Sequence, residues 1–214
     1  KIKDCRTGLV TNKNVKETKS SPPYPLNTNE FLKRASKFLG LNSDRALEIA
    51  EQLYLSGFTS YPRTETNKYA KDFDIQSRVA ELTKGAHKEF ALAVFSDSEN
   101  GFNPRNGTKD AHDHPPIYPI KSANKSDINK AVNDSKAWDV YDLIVRHFLA
   151  NLMQPAIFEK TRLEISVNDE KFDATGTVKK ESGWMWVYPF ETKNDKILPE
   201  IKINEKVGIN KITN

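Results

Sequence analysis

Residues 56–67 read SGFTSYPRTETN, an irregular stretch between two segments with helical periodicity. Pro62 has no amide hydrogen and disfavours helical backbone at Tyr61, so this stretch is expected to be extended or turned. In an extended backbone, residues i and i+2 point to one side. Tyr61 and Arg63 then project together, with Pro62 stiffening the link. A phenol beside a guanidinium suits phosphodiester chemistry. The phenol is a nucleophile, and the guanidinium can hold a phosphate bidentately and offset charge in a pentavalent transition state. The same spacing also suits a surface turn in which Tyr61 packs and Arg63 pairs with Glu65.

On the N-terminal side, residues 16–25 (KETKSSPPYP) are rich in Ser, Pro and Lys. Residues 1–26 therefore read as the end of an extended segment followed by a loop. Asn27 or Thr28 caps a helix, and Glu30 stands three residues after Asn27, the spacing of a capping box. Phe31, Leu32, Ala35, Phe38 and Leu39 form its stripe, and Gly40 stops it. Ser43 caps a second helix with Ala46, Leu47, Ile49, Ala50, Leu53 and Tyr54 on its apolar face, ended by Gly57. Two short helices about a Gly-containing turn fit a helix-turn-helix, and an ordinary helical hairpin fits the pattern as well.

On the C-terminal side, one helix is expected over about 75–95, through Val79, Leu82, Ala86, Phe90 and Val94. Residues 96–122 follow as a polar loop of a length that is uncommon in a compact domain and often functional. A strongly amphipathic helix is expected over 135–153, with Trp138, Tyr141, Leu143, Ile144, Phe148, Leu149 and Leu152, ended by Pro155. The texture then changes to strand alternation. Residues 162–167 alternate, Asn168 and Asp169 signal a turn, and 172–178 and 184–190 continue as an antiparallel meander.

The 214 residues are 37% apolar, 29% charged and 10% aromatic, a polar mixture that still supplies a core and argues against wholesale disorder. No run approaches the roughly 18 apolar residues of a membrane helix. The opening KIKDCRTGLV lacks the apolar core of a signal peptide. A single cysteine, Cys5, excludes an internal disulfide framework and a cysteine-cluster zinc site. The chain is therefore expected to be cytosolic or nuclear, not secreted, and without a membrane partner. Residues 1–26 hold six Lys or Arg and two Asp or Glu, which is the whole formal excess of +4. That balance permits an anionic partner without demanding one.

A second candidate is residues 110–116, DAHDHPP. The spacing of His112 and His114 with two aspartates hints at a metal, but a third strong ligand is missing nearby and the Pro-Pro step is stiff, so no metal residue is assigned. A loop histidine that contacts phosphate fits better, with Asn103, Arg105, Asn106 and Lys109 adding donors from the same loop. A solvated basic loop is the other reading.

Several of these stretches match one family. Residues 56–67 closely resemble the active-site tyrosine segment of type IA DNA topoisomerases, whose topoisomerase III branch has the pattern GfiSYPRTETN. Residues 21–54 (SPPYPLNTNEFLKRASKFLGLNSDRALEIAEQLY) look like the family's Pro-rich lead-in and first two helices. NPRNG at 103–107 and DHPPIYPI at 113–120 resemble its PRNG and AHPPIHPT motifs. VYDLIVRHFLA at 140–150 looks like its xxYxxIxRHFLA helix, and GWMWVYPF at 183–190 like a later strand. The motifs stand in order over about residues 20–200. Tyr118 stands where the family has its second histidine, and Ile120 where it has threonine.

The resemblance implies an α+β fold, with an α-rich, winged-helix-like domain inserted in a β-rich arch domain. Residues 1–26 would be an N-terminal arm and the start of the arch. Residues 27–134 would be the α-rich domain with the tyrosine, and 135–214 a connecting helix and the β-rich arch. It implies that Tyr61 is the nucleophile that forms a 5′-phosphotyrosine link, that Arg63 assists cleavage, and that His114 positions DNA. Arg105 is implied as a DNA contact, with Lys109 beside it in the same loop. The implied function is reversible cleavage and religation of single-stranded DNA, allowing strand passage without ATP. The implied cofactor is Mg²⁺, bound by an acidic Toprim domain and not by this chain. The implied partners are single-stranded DNA, the Toprim portion of the same enzyme, and OB-fold and helicase proteins; the implied location is the nucleus. No Asp-x-Asp cluster suited to a Toprim domain precedes Tyr61. The chain is thus expected to be part of a longer enzyme and to cleave poorly or not at all alone. Two other readings compete: a non-catalytic nucleic-acid-binding helix-turn-helix module in which Tyr61 is structural, and a protein-interaction scaffold.

Overall fold

The computed structural model describes residues 5–97, 101–191 and 194–210. It divides into a helical unit, Ser21–Pro155 with Gly183–Thr192, and a strand unit, Lys1–Ser20, Ala156–Ser182 and Lys193–Asn214. Helices and antiparallel strands are thus segregated, as the α+β reading expects.

In the helical unit, Asn27 caps α1 (Thr28–Leu39), its side-chain oxygen accepting from the Glu30 N–H at 2.9 Å. Gly40 closes the helix at φ 67°, left-handed backbone that glycine adopts without strain. The cap of α2 (Ser43–Leu55) is Asn42 and not Ser43: the Asn42 oxygen accepts from the Arg45 N–H at 2.9 Å. Both residue types cap helices, and Asn42 stands one place earlier in the chain.

The stretch expected as one helix over 75–95 is two, α3 (Ile75–Leu82) and α4 (Lys88–Asp97). The break falls at Gly85, where a Cβ would meet Ser122 Oγ at 2.2 Å and the Ala123 backbone at 3.0 Å. The chain passes too close to 122–123 there for a side chain. A helix absent from the sequence reading, α5 (Lys125–Ala131), follows the long loop; its signal is the capping box of Asn124 with Asp127. Then comes α6 (Ala137–Asn151), expected to be amphipathic and in fact buried nearly all round, through Val140, Tyr141, Leu143, Ile144, Val145, Phe148 and Leu149. It is the core of the unit, and α1, α2, α4 and α5 pack on it.

Residues 184–190 are not a strand. They form two tight 3₁₀ turns, Gly183–Trp186 and Pro189–Glu191. Alternating Trp184, Trp186, Tyr188 and Phe190 imitate strand periodicity. Trp184 and Tyr188 are also four apart, one helical turn, and the Tyr188 N–H donates to the Trp184 carbonyl at 3.1 Å with both side chains buried.

The strand unit is one antiparallel sheet. Its strands are β1 (Thr7–Ser20), β2 (Ala156–Val167), β3 (Glu170–Glu181) and β4 (Lys206–Gly208), in the order β3-β2-β1-β4. Residues 16–20, expected to be irregular, are the end of β1, paired from Lys16 opposite Lys160 to Ser20 opposite Ala156. Pairing with β2 overrides their polar composition. Asn168 and Asp169, both at positive φ (51° and 70°), make the two-residue turn between β2 and β3. The long helical segment leaves the sheet after β1 and returns at β2, the strand that pairs with β1.

Candidate active site

Three extended segments of the helical unit lie side by side: the Pro-rich lead-in before α1, residues 58–66, and residues 113–120. The Ile117 N–H donates to the Leu26 carbonyl at 2.7 Å, the Ser60 N–H to the Tyr118 carbonyl at 2.9 Å, and the Ile120 N–H to the Phe58 carbonyl at 2.8 Å. Thr28, the first residue of α1, grips the segment around Pro62. Its hydroxyl accepts from the Thr64 N–H at 2.8 Å and donates to the Pro62 carbonyl at 2.7 Å. Ser60 is only 5% exposed; its hydroxyl donates to the Pro116 carbonyl at 3.1 Å and accepts from the Tyr118 N–H at 2.9 Å. Ser60→Ala leaves both backbone partners without the hydroxyl and is expected to cost about 1–3 kcal/mol, read by urea denaturation against wild type. An unchanged midpoint would show that this seam bears no load.

This framework presents Tyr61 half-buried. Its ring stands edge-on to Tyr54 at 5.2 Å and to His114 at 4.8 Å. Arg63 is exposed, with Nε 2.5 Å from Glu51 Oε1. Glu51 and Tyr54 lie three apart on α2 and so share a helix face. Tyr61 and Arg63 therefore reach the same side, as their i, i+2 spacing expects. The pairing of Arg63 with Glu65 does not form, because Glu65 pairs with Lys109 instead. His114 is held by its backbone at both ends. Its N–H donates to Asp113 Oδ1 at 2.6 Å, and its carbonyl accepts from the Thr64 hydroxyl at 2.9 Å. The His114 N–H, with the Thr66 hydroxyl at 3.2 Å, holds the Asp113 carboxyl below its ordinary range.

Arg105 joins a different set of residues. Its guanidinium donates to the Pro22 carbonyl at 2.5 Å and the Tyr24 hydroxyl at 3.0 Å, and lies 4.0 Å from the centre of the Tyr24 ring. The Asn151 amide donates to the Pro23 carbonyl at 2.7 Å and the Arg105 carbonyl at 2.9 Å. Arg105 thus fastens the Pro-rich lead-in to the end of α6. Asn67 ties the same loop to the tyrosine segment: its carbonyl accepts from the Gly107 N–H, and its side chain from the Lys109 N–H, each at 2.9 Å. Tyr118 packs edge-on to Phe73 at 4.9 Å.

The lead-in has a further anchor in buried His147, whose Nε2 donates to the Tyr24 carbonyl at 2.8 Å. Burial, with Arg34 nearby, pushes the imidazole down to about 3. The folded protein therefore keeps it neutral, while the unfolded chain protonates near 6.5. Its contribution is full above about pH 7 and is lost as pH falls toward 3, by about 1.4 kcal/mol per unit. Between pH 7 and pH 5 the loss is about 2 kcal/mol. Urea denaturation at the two pH values is expected to show it, and His147→Gln to remove it.

A family model described as DNA topoisomerase matches residues 1–214. The chain belongs to the DNA topoisomerase family. It is type IA and topoisomerase III-like. DNA topoisomerase 3-alpha of Arabidopsis thaliana is 39% identical over 182 residues, covering 83% of this chain and 19% of the relative. DNA topoisomerase 3-beta of Drosophila melanogaster is 35% identical over 214 residues, covering 99% of this chain and 23% of the relative. The topoisomerase chain thus spans about a fifth of the length of these two relatives. In fold it is similar to full-length topoisomerase I of Thermotoga maritima, with a TM-score of 0.73 at 22% identity over 97% of this chain and 33% of that one.

Among the described residues of this topoisomerase chain, no group of three or more His, Cys, Asp or Glu could hold a metal ion. His112 has its Nδ1 3.4 Å from Asp110 Oδ1, with both side chains open to solvent. These residues do not fit a Mg²⁺ site. Sequence reasoning missed the residues that hold the candidate site around Tyr61. Tyr54, expected in the core, is 41% exposed against Tyr61, and Glu51 restrains Arg63. A signal for the Thr64 and Thr66 grip was present: small hydroxyl residues alternate with Arg63 and Glu65, the mark of an extended segment with one buried side.

Proposed function

We propose that this chain supplies the nucleophile of a type IA topoisomerase that cleaves and reseals single-stranded DNA. The Tyr61 phenolic oxygen attacks a backbone phosphorus, and the bond from phosphorus to the 3′ oxygen breaks. The phosphate stays on Tyr61 and on the 5′ oxygen of the downstream piece. The 3′ oxygen leaves as a hydroxyl, taking up a proton in balance with the one the phenol gives up. Attack by that hydroxyl on the phosphotyrosine reverses the step and reseals the strand. One phosphate ester replaces another, so no ATP is needed for strand passage.

The observation that carries this reading is the Tyr61 setting: a phenol clamped between Tyr54 and His114, with Arg63 on the same side of α2. Arg63 would exchange Glu51 for the phosphate, an exchange that an exposed ion pair permits at about 1 kcal/mol or less. His114 would position the strand, with Lys109 as a further contact. Arg105 would act from the lead-in it fastens. The helical unit is read as winged-helix-like, with α1 and α2 as its helical hairpin. A Toprim portion of the same enzyme would hold Mg²⁺ and complete the site.

The test uses the full-length enzyme with Mg²⁺ and a single-stranded oligonucleotide, quenched with SDS. A 3′-end label is expected to migrate with protein, and a 5′-end label is not. The opposite distribution would contradict 5′ attachment. With bound oligonucleotide and no label on protein, the chain would instead be a binding module.

A further inference from the structure

The strand unit has a polar face that cleavage at Tyr61 does not use. Residues opposite one another in the register point to one side of a sheet. Asn12, Asn14 and Lys16 of β1 oppose Glu164, Arg162 and Lys160 of β2. The latter three oppose Asp173, Thr175 and Thr177 of β3. A pocket of about 410 Å³ opens on this face, lined by Asn12, Asn14, Lys16, Lys160, Arg162 and Glu164.

Most of the charge there is already matched. Arg162 donates to both oxygens of Asp173, at 3.0 and 2.8 Å, and Lys171 lies 3.1 Å from Glu164. Lys16 and Lys160 have no carboxylate partner among the described residues, and they stand directly opposite each other. Like charges in that position destabilise a strand pair. An anion seated between the two ammonium groups would reverse the sign of that contribution. Asn12 and Asn14 line the same pocket and can donate amide hydrogens to phosphate oxygens.

We propose that this face of β1 and β2 docks the phosphate backbone of duplex DNA, as a second contact beyond the strand cleaved at Tyr61. The proposal rests on the reading of DNA as the substrate. The choice of duplex follows from the lining. Asn, Lys, Arg and Glu offer no ring on which unpaired bases can stack, and stacking is what single-strand sites use. A duplex hides its bases and presents phosphates, which two uncompensated lysines and two amides complement without regard to sequence.

The test measures binding of a short fluorescent duplex to the full-length enzyme across a salt series. K16Q/K160Q is expected to weaken binding and to flatten the slope of log Kd against log salt by about 2. K16R/K160R is expected to keep the slope, and K125Q/K130Q on α5, with the same loss of charge, to leave it unchanged. An unchanged slope in K16Q/K160Q, or an equal drop in K125Q/K130Q, would overturn the proposal. So would a loss confined to single-stranded oligonucleotide. Because the glutamines remove a repulsion, the urea midpoint of K16Q/K160Q is expected to hold or rise. Tyr61→Phe is expected to bind duplex with the wild-type slope, so failure of the cleavage reading and failure of this one are separate results.

Discussion

Tyr61→Phe is expected to lower covalent capture of DNA by more than about three orders of magnitude while leaving the fold within about 0.5 kcal/mol of wild type. The two effects separate because the fold uses the ring and the proposed reaction uses the oxygen. The ring packs edge-on to Tyr54 and His114, and phenylalanine keeps both contacts. Without the phenolic oxygen no bond to phosphorus can form at this position. Tyr54, the neighbouring phenol on α2, provides the control: Tyr54→Phe is expected to retain capture. SDS-quenched capture and urea denaturation of the same preparations read the two quantities. A Tyr61→Phe variant that still captures DNA would end Tyr61's candidacy. One that unfolds would show that the hydroxyl matters to the fold.

Gly183→Ala carries the largest expected loss of stability, about 3 kcal/mol or more. Gly183 has φ +46°, and a Cβ there would lie 2.4 Å from the Pro155 carbonyl oxygen and 2.6 Å from that of Gln154. Both obstacles are backbone and cannot swing aside. The next residue is tied to the same place, since the Trp184 N–H donates to the Gln154 carbonyl at 3.0 Å. Relieving the clash would pull buried Trp184 and Tyr188 from their packing. Gly57→Ala is the comparison: at φ +78° with nothing within 4 Å of a Cβ, it carries only backbone strain of about 1 kcal/mol. Urea midpoints that differ little between the two variants would show that the Gly183 junction relaxes.

What the sequence made legible was local. Asn27, Gly40, Asn168 and Asp169 carry their own conformational instructions, and α1 and the turn after β2 stand where those residues place them. The shared side of Tyr61 and Arg63 followed from a two-residue period and a proline. What was hidden depends on partners distant in the chain. The division of 75–95 needs the approach of Gly85 to 122–123, and the strand character of 16–20 needs β2. Trp184 to Phe190 carry two periodicities at once, and only burial of Trp184 with Tyr188 selects the tight turns. The site shows the same division. Tyr61, Arg63 and His114 stood out by type and motif. Glu51 and Tyr54 look like ordinary helix residues until α2 is seen beside the tyrosine segment.

If Tyr61 itself bonds to DNA, the mass of the trapped peptide will show it. The covalent complex formed by the full-length enzyme would be digested with nuclease and trypsin, and the peptide ending at Arg63, which contains both Tyr54 and Tyr61, fragmented in a mass spectrometer. The residual nucleotide is expected on Tyr61. Nucleotide on Tyr54, or on any residue outside this peptide, would contradict the account.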